Sequence, residues 1–253
     1  MQTRLVSKSG SPDHLRPHPR NRAARACFCA ALLLSSTACA VKIPVIDLYP
    51  TTPAAESSTD RPEPTTLGFI PLADQRSEVQ HTGQKPRLWV FLVYNQRKGT
   101  YLTGDEHFTR PPALSVSDAL VEALDGARFG RSRLLDRSAS RRVSDGLAAC
   151  ESEDLKYVGL GAVDSLYGTV KQSAYFGFLP IPYLTLIGFD NSTSDPLGVI
   201  QLDLEIIECA SRESVYLRRI TRQLRYPEES PAEAVRLALY DILEQVRNET
   251  TRR

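Results

Sequence analysis

The chain has 253 residues, of which 42% are hydrophobic and 24% are charged, so it belongs to the ordinary globular class and exceeds one typical domain by less than a factor of two. Residues 1–38 contain six of the 31 Lys and Arg residues but one of the 30 Asp and Glu residues, which leaves a net charge of −4 on the remainder. Nucleic-acid binding needs clustered positive charge, so no nucleic-acid partner is expected.

The first 38 residues have the three-part plan of a secretory signal. A basic stretch at residues 16–25 precedes an uninterrupted run of small and apolar residues at 26–38. This run is well short of the ~20 residues that a helix needs to cross a bilayer. Residues 1–38 are therefore predicted to be a cleaved signal peptide rather than a permanent transmembrane helix.

The segment Ser36-Thr37-Ala38-Cys39 resembles the bacterial lipobox, with Ser36 where that family most often has Leu. The resemblance implies cleavage before Cys39 and a lipid on its thiol, whereas an ordinary signal peptide cut nearby would leave Cys39 a plain thiol. Ala40 resembles the residue that follows the cysteine in lipoproteins sent to the outer membrane. We therefore expect a lipid-anchored, periplasm-facing outer-membrane protein in a host with two membranes, and otherwise a cell-membrane lipoprotein.

Residues 39–66 are predicted to be a lipidated N-terminus and a flexible tether. Residues 50–66 are mostly Pro, Thr, Ser, Ala and Glu. Such a composition buries too little apolar surface to offset the entropy of ordering the chain. A tether lets a membrane-fixed domain reach a partner, and an inert spacer explains the composition equally well. The folded domain is expected at residues 67–253.

The first elements of this domain are a strand and a helix. The apolar and aromatic run at residues 88–94 predicts a buried strand. A helix is expected at residues 116–124, with Ser115 and Asp118 spaced as a capping box. Weaker patterns follow, namely a strand at 133–135, a helix at 139–149 and glycine-interrupted strands at 157–163 and 167–170.

A hairpin and a long helix end the domain. Apolar and polar residues alternate from Ile200 to Ile206, which predicts a strand with one solvated face, and the hairpin extends to about residue 224. Acidic residues on its first strand are expected to pair across to three arginines on its second, Arg218, Arg219 and Arg222. The final helix has Ser230 as N-cap, followed by Pro231 and Glu233. Its apolar stripe consists of Val235, Leu239, Ile242 and Val246.

Few residues after position 38 are suited to catalysis or metal binding. His81 and His107 are the only histidines there, and neither has another ligand at a useful spacing, so no metal site is predicted. Gly159 and Gly161 lack the third glycine and the following helix of a dinucleotide-binding turn, and they indicate a bulge or a tight packing point. No cofactor and no enzymatic activity are expected.

Cys150 and Cys209 are the only cysteines that follow Cys39. An even pair in an oxidising envelope compartment is a disulfide candidate. Two separately buried thiols remain the alternative, because unpaired cysteine packs as a small hydrophobic residue.

Residues 174–189 form an insert that is aromatic and aliphatic almost throughout. Pro180 and Pro182 argue against a continuous helix or a clean central strand. An exposed insert would mark a surface for a partner or a membrane. The interpretation that it folds back over the core is favoured, since large apolar residues are usually buried. The candidate partner or ligand surface consists of Tyr175, Phe176, Phe178, Tyr183 and Phe189.

The order of the predicted elements from residue 67 to residue 247 resembles the small α+β domain of envelope-assembly lipoproteins. That group includes the curli-secretion lipoprotein, polysaccharide-export lipoproteins and peptidoglycan-synthase activators, and the resemblance is one of layout. It implies a non-catalytic role in which the chain binds an envelope protein or forms a homo-oligomeric ring at the membrane.

The predicted fold is α+β, with a single small mixed or antiparallel sheet packed against two or three helices. The predicted function is that of a lipid-anchored interaction or assembly module in envelope biogenesis, secretion or transport. Two alternatives stay open: a lipid-tethered hydrolase of cell wall or a small ligand, and a lipoprotein that binds an apolar ligand through the insert.

Overall fold

The computed structural model describes residues 44–50, 65–90, 94–178, 187–227 and 229–251, with the backbone alone at residues 89–90, 94–96, 175–178 and 187–191. In chain order the elements are β1 (Thr65–Phe69), β2 (Ala73–Asp74), α1 (Glu78–Thr82), β3 (Arg87–Val90), β4 (Tyr94–Leu102), a 3-10 helix (Asp105–His107), α2 (Pro112–Leu124), β5 (Arg131–Leu134), α3 (Val143–Glu153), β6 (Tyr157–Phe178), β7 (Ile187–Thr193), β8 (Leu197–Glu208), β9 (Ser214–Arg225) and α4 (Pro231–Thr251).

Within the described residues, nine strands form one mixed sheet around β6. The first half of β6 pairs in parallel with β1 and β2 and antiparallel with β8, while β5 and β9 lie outside β1 and β8. The second half pairs antiparallel with β4 and β7, and β3 lies outside β4. The α+β class is confirmed, but the sheet is larger than the small one expected. We call β3, β4, β7 and residues 169–178 of β6 the β-arm, and the remaining strands the base sheet.

Helices α2 and α4 cover one face of the base sheet. Helix α4 begins as predicted, since the backbone N–H of Glu233 donates to Oγ of Ser230 at 3.1 Å. Its stripe is fully buried and packs in the main core with β8, the contributing residues being Val235, Leu239, Ile242, Val246, Ile200, Leu202, Leu204 and Ile206. Each such side chain contributes about 1.5–3 kcal/mol when it leaves water, so this face supplies much of the driving force for folding.

Helix α3 covers the opposite face, at the start of β6. Val158 and Leu160 of β6 pack there with Ala149 of α3, because alternate residues of a strand point to opposite faces. A disulfide joins Cys150 of α3 to Cys209, which directly follows β8, with 5.6 Å between their Cα atoms and a sequence separation of 59. Of the two states that the sequence leaves open for these cysteines, the structure contains the disulfide. Closing a loop of this length stabilises by about 4 kcal/mol in the chain-entropy model.

Residues 44–50, which we call the docked segment, lie against the base. The N–H of Ile46 donates to the carbonyl of His107, and the carbonyl of Ile46 accepts from Thr109, both at 3.0 Å. Leu48 is 1% exposed and belongs to the main core. The composition of residues 39–66 predicts a tether, with the domain beginning at residue 67. That boundary is wrong for the docked segment, because its packing partners are distant in sequence.

Tyr49 completes the docked segment. Its carbonyl accepts a hydrogen bond from Arg110 at 2.9 Å, and its ring meets that of Tyr240 edge-on with the centroids 6.2 Å apart. Burial and the neighbouring Glu122 raise the pKa of Tyr49 to about 12. The phenol is therefore neutral at physiological pH, and the end of the segment is held by both α2 and α4.

The single strand predicted at residues 88–94 is wrong. Strand β3 ends at Val90, β4 begins at Tyr94, and Val90 pairs with Asn95, so the apolar run spans the reversal of a hairpin. Residues 91–93 lie outside the described part of the chain and contain no Gly, Pro, Asn or Asp to mark a turn. Hydrophobicity alone does not reveal where such a run reverses.

The capping box predicted for α2 is also wrong. The helix begins at Pro112, and Ser115 is 1% exposed inside it. Asp118 instead accepts from Nη1 of Arg110 at 2.9 Å. Proline suits the first helical position because its missing N–H would have no partner there, and this signal explains the earlier start.

Gly159 and Gly161 are tight packing points within one continuous strand. A Cβ on Gly159 would lie 2.3 Å from the ring of Phe69, and one on Gly161 would lie 2.1 Å from the carbonyl oxygen of Asp203. Both contacts are far inside van der Waals distance. The glycines therefore let β6 approach its neighbours closely, which agrees with the predicted tight packing point and not with a nucleotide-binding turn.

We expect Leu48→Ala to lower the free energy of unfolding by about 2–5 kcal/mol, because it leaves a cavity in the main core. Val45→Ala is the matched control on the same segment, since Val45 is 59% exposed and its loss should cost less than about 0.5 kcal/mol. Urea unfolding of the two variants measures the difference. Equal small effects would show that the docked segment contributes nothing to stability.

Candidate functional site

The β-arm is the candidate functional site, because it extends the sheet beyond the strands that the helices cover. Strand β8 pairs with β6 up to Thr169, and β7 takes its place from Gln172 to Phe178. Strand β4 pairs with β6 from Thr169 to Gly177. The described ends of β3, β4, β6 and β7 therefore lie at the same distal end, from which residues 91–93 and 179–186 leave.

The distal part of the β-arm is built from uncharged sequence. Residues 88–96 and residues 172–189 contain no Asp, Glu, Lys, Arg or His. Among the described side chains, Leu88 is 50% exposed. Strand pairing between β4 and β6 therefore brings two long stretches without a charge together.

Charged residues border the uncharged stretches, and most of them are basic. Arg87 pairs in register with Lys98, and Lys98 pairs with Ser173, so these residues lie at one level of the β-arm. We call four exposed cations at or near this level the basic collar: Lys85, Arg87, Lys98 and Lys171. Nζ of Lys85 lies 3.3 Å from Glu106, and Asp190 is the acidic residue that borders the second stretch.

The outer strands of the β-arm have open edges. Within the described residues, β3 pairs with β4 alone and β7 pairs with β6 alone. An edge strand presents N–H and C=O groups that another strand can pair with. The β-arm therefore offers two backbone edges as well as its uncharged end.

A cluster of ionisable side chains lies at the root of the β-arm. The side chain of Arg76 is 1% exposed, and its Nε and Nη2 donate to the two carboxylate oxygens of Asp74 at 2.9 and 2.7 Å. Its Nη1 donates to Asp105 at 2.9 Å, and the other oxygen of Asp105 lies 2.9 Å from Nδ1 of His81. The cluster ties β2, α1 and the 3-10 helix together.

The pKa of Asp74 reflects the same contacts. Burial favours its neutral form, but the hydrogen bonds and positive charge of Arg76 outweigh burial and hold the pKa below its ordinary 3.8. Both oxygens of Asp74 face the guanidinium that neutralises them. This geometry is that of a structural tie, and it does not present Asp74 as a general base.

Two further buried contacts complete the root. The backbone N–H of Thr103 donates to the carbonyl of Gly168 at 2.9 Å, and the N–H of Gly168 donates to Oγ1 of Thr103 at 2.7 Å. The hydroxyl of Tyr101 lies 2.5 Å from Nε2 of His107. Burial, aided by Glu106, raises the pKa of Tyr101 to about 12. The neutral phenol is thus available to donate to the imidazole.

An open groove of about 470 Å³ lies on the base sheet, beside α3. Its floor includes Leu160 and Ala162, and Asp203 and Arg219 line one side. Nε and Nη2 of Arg219 donate to Asp203, both at 2.7 Å, and these bonds hold the pKa of Asp203 below its usual range. The cross-hairpin pairing predicted for Arg219 is confirmed, and its charges already have partners. This groove is a solvated sheet face.

The other two arginines predicted to pair across the hairpin contact α4 instead. Arg222 donates to Asp241, and Nε of Arg218 lies 3.6 Å from Glu249. They point toward α4 because their positions on β9 share the face that the helix covers. That expectation is therefore wrong for Arg218 and Arg222.

The predicted surface residues are partly placed by the structure. Tyr175, Phe176 and Phe178 lie among the last paired residues of β6, and Phe176 pairs in register with Phe189 of β7. Tyr183 and Cys39 lie outside the described residues. The described ends of the insert continue strands β6 and β7. Residues 179–186 lie outside the described part of the chain, so the expectation that the insert folds back over the core stays a prediction. The basic collar was missed, although the basic residues bordering both uncharged stretches signal it.

The described part of the chain contains neither a cluster of metal ligands nor a helix suited to span a membrane. Across residues 44–50, 65–90, 94–178, 187–227 and 229–251, no group of three or more His, Cys, Asp or Glu side chains is placed to hold a metal ion. No helix in these ranges is both long and apolar enough to span a membrane.

No family model matches the sequence, and no curated protein matches it. Solved structures similar to this chain include a PelC dodecamer from Paraburkholderia phytofirmans, at 11% identity and a TM-score of 0.40, covering 83% of this chain and 94% of that one. A DUF330 protein from Xanthomonas campestris matches at 13% identity and 0.40, covering 84% and 91%. Lipoprotein GNA1162 from Neisseria meningitidis matches at 10% identity and 0.33, covering 73% and 99%. These scores are too low to bear on function.

We expect Arg76→Met to lower the free energy of unfolding near neutral pH by about 1–3 kcal/mol, because Asp74 and Asp105, whose side chains are 29% and 44% exposed, lose the buried guanidinium that donates to both of them. Ionised Asp74 stabilises the fold above its unfolded pKa of about 3.8, and this contribution is lost as the pH falls below that value. The gap between wild type and variant should therefore narrow from about pH 5 to about pH 2.

The control is Arg131→Met, which removes an exposed ion pair to Asp125 and should cost less than about 1 kcal/mol. Urea unfolding across the pH range measures both variants. Equal losses, or a gap for Arg76→Met that does not change with pH, would contradict the role given to the cluster.

Proposed function

We propose that this chain is a lipid-anchored, non-catalytic assembly module of the bacterial cell envelope, and that the β-arm is its interaction surface. The observation that carries the proposal is the β-arm itself, a four-stranded extension with two open edges and uncharged distal sequence. Such a surface suits association with another copy or with an envelope protein.

The sequence that precedes the folded domain supports the proposed location in the cell envelope. Residues 1–38 have the plan of a signal peptide, and Cys39 follows a lipobox-like segment. In a host with two membranes, Ala40 favours the outer membrane over retention at the inner one. The Cys150–Cys209 disulfide agrees with an oxidising compartment such as the periplasm.

The charged groups support a non-catalytic role. Asp74 and Asp203 are each neutralised by an arginine that donates to both of their oxygens. A general acid or base needs access to a substrate proton, and these carboxylates are occupied by intramolecular bonds. Binding through the β-arm requires no such group.

The anchor is tested by metabolic labelling with a fatty-acid probe. We expect the wild-type chain to incorporate the probe and to fractionate with membranes, and Cys39→Ser to do neither, because the thiol is the acylated atom. A labelled Cys39→Ser chain, or an unlabelled wild-type chain that retains residues 1–38, would contradict the lipoprotein assignment.

The surface is tested by photo-crosslinking in intact cells. A photoreactive residue at Leu88 of β3 or Thr193 of β7 should give discrete crosslinked protein species, because both positions lie on open-edged strands. Val143 on α3, 42% exposed, is the control position and should not give them. The same pattern at all three positions, or a chain that remains uncrosslinked and monomeric, would refute the β-arm as the assembly surface.

A further inference from the structure

We propose that helix α3 is a redox-controlled cover, which the Cys150–Cys209 disulfide holds over the base sheet and which reduction of that disulfide releases. The reduced chain keeps its main core and exposes an apolar strip of the sheet that α3 conceals in the oxidised chain. This inference goes beyond the proposed function and does not rest on it, because neither the lipid nor the β-arm takes part.

The first argument is that α3 has little apolar packing of its own. Among the described residues, the core beneath α3 contains seven buried hydrophobic residues, whereas the main core contains 27. Of those seven, Ala149 is the one that belongs to α3, and Leu147 of the same helix is partly buried against them. The free energy of apolar burial grows with the area removed from water, so these two side chains hold α3 weakly.

The second argument is that α3 is a weak helix by itself. It has 11 residues, and isolated helices shorter than about 12–15 residues are at best marginally stable in water. Glu151 and Glu153 lie in its last turn, where the negative end of the helix dipole disfavours acidic side chains. Asp154 ends the helix at a φ of 50°, a left-handed conformation that glycine adopts more readily. The helix therefore depends on the groups that tie it to the sheet.

The polar contacts of α3 lie on the surface. Arg133 donates to Oε2 of Glu153 at 2.8 Å, and their side chains are 49% and 33% exposed. Arg212 lies 3.5 Å from Glu151, and both are more exposed still. Exposed ion pairs contribute little, because water and salt screen them. The covalent bond between Cys150 and the residue after β8 is a stronger tie than any of these.

The third argument is the position of the disulfide and of the surface beneath α3. Both cysteines are partly exposed, so a dithiol can reach the bond. Val158 and Leu160 of β6 are buried beneath α3, and Leu160 also forms part of the floor of the open groove on the base sheet. Release of α3 therefore extends this groove along β6 by an apolar strip.

The release is local, because none of the 27 buried residues of the main core belongs to α3. Helices α2 and α4 pack on the other face of the base sheet and keep their partners when α3 leaves. The reduced chain is therefore a folded protein with one face of its sheet uncovered.

The reaction is a thiol–disulfide exchange with a dithiol. One thiolate of the dithiol attacks a sulfur of the cystine, which forms a mixed disulfide and releases the other cysteine as a thiolate that takes up a proton. The second thiolate of the dithiol then displaces the remaining cysteine, so the dithiol leaves as a disulfide. Two electrons and two protons pass to Cys150 and Cys209, which become thiols.

The test compares the whole chain, purified in detergent, before and after reduction with dithiothreitol. Amide hydrogen exchange in α3 should quicken on the order of thirtyfold on reduction, because a native disulfide typically shifts an unfolding equilibrium by at least this factor. Exchange in α4 is the internal control and should change little, since its apolar stripe lies in the main core. Unchanged exchange in α3, or equal acceleration in α3 and α4, would overturn the proposal.

The matched variant is Cys150→Ser combined with Cys209→Ser, which removes the bond without a reductant. Its α3 should exchange as fast as that of the reduced wild-type chain, and dithiothreitol should have no further effect on it. A further acceleration by dithiothreitol would assign the change to another cysteine and contradict the proposal. Loss of protection in α4 of this variant would also contradict it, because the bond would then support the whole fold and not the cover alone.

Uncovering of the strip is measured with anilinonaphthalene sulfonate, a dye whose fluorescence rises when it binds exposed apolar surface. The fluorescence should rise when the wild-type chain is reduced, and it should be equally high in the serine variant without a reductant. Rapid exchange in α3 without a gain in dye binding would refute the cover, because the strip beneath α3 would then remain concealed.

Discussion

Strand β6 constrains the whole molecule, because its backbone needs hydrogen-bond partners on both sides along its full length. Its first half lies in the base sheet, and its second half lies in the β-arm. A buried N–H or C=O without a partner is costly, so the change from one neighbour to the next has to occur with little gap. On one side β8 pairs as far as Thr169 and β7 begins at Gln172. On the other side Thr103 bonds Gly168 just before β4 takes over. Base and β-arm thus share one uninterrupted backbone.

Directional polar contacts fix the angle between these two parts. Arg76, Thr103 and His107 are all buried at the root of the β-arm, and each has hydrogen-bond partners there. Apolar packing tolerates small shifts, whereas a guanidinium held between two carboxylates tolerates few. The cluster therefore acts on orientation more than on net stability, since burying charge offsets much of what its ion pairs contribute.

Local signals explain which elements the sequence predicted. Helix α4 has a capping serine, a proline at its first position and a regular stripe, and the β8–β9 hairpin alternates over many residues; these signals depend on neighbours within a turn or a strand. The docked segment depends instead on contacts with residues 107–110 and with distant helices. The reversal after Val90 has no turn residue to mark it. Likewise, the continuity of β6 depends on partners from five other strands.

The residues of the candidate site also divide into those that local sequence signals predict and those that depend on distant contacts. Aromatic composition pointed to the insert, and an even cysteine count pointed to the Cys150–Cys209 pair, because both are visible in the order of residues. The basic collar was not visible in that way. Its members come from β3, β4, β6 and the residue before Pro86, and strand register alone brings Lys98 level with Arg87 and Ser173.

The docked segment also changes the meaning of the Pro- and Thr-rich stretch that follows it. With Pro50 and Thr65 both fixed to the folded base, residues 51–64 close a loop instead of connecting two separate bodies. Doubling the length of a flexible loop costs only about 0.6 kcal/mol. Insertions are therefore cheap in this stretch, and an epitope tag or a new binding sequence can be gained there without lengthening the chain between Cys39 and the docked segment. Under the proposed acylation of Cys39, the four residues between Cys39 and Pro44 would alone set the longest distance between the acylated thiol and the docked segment.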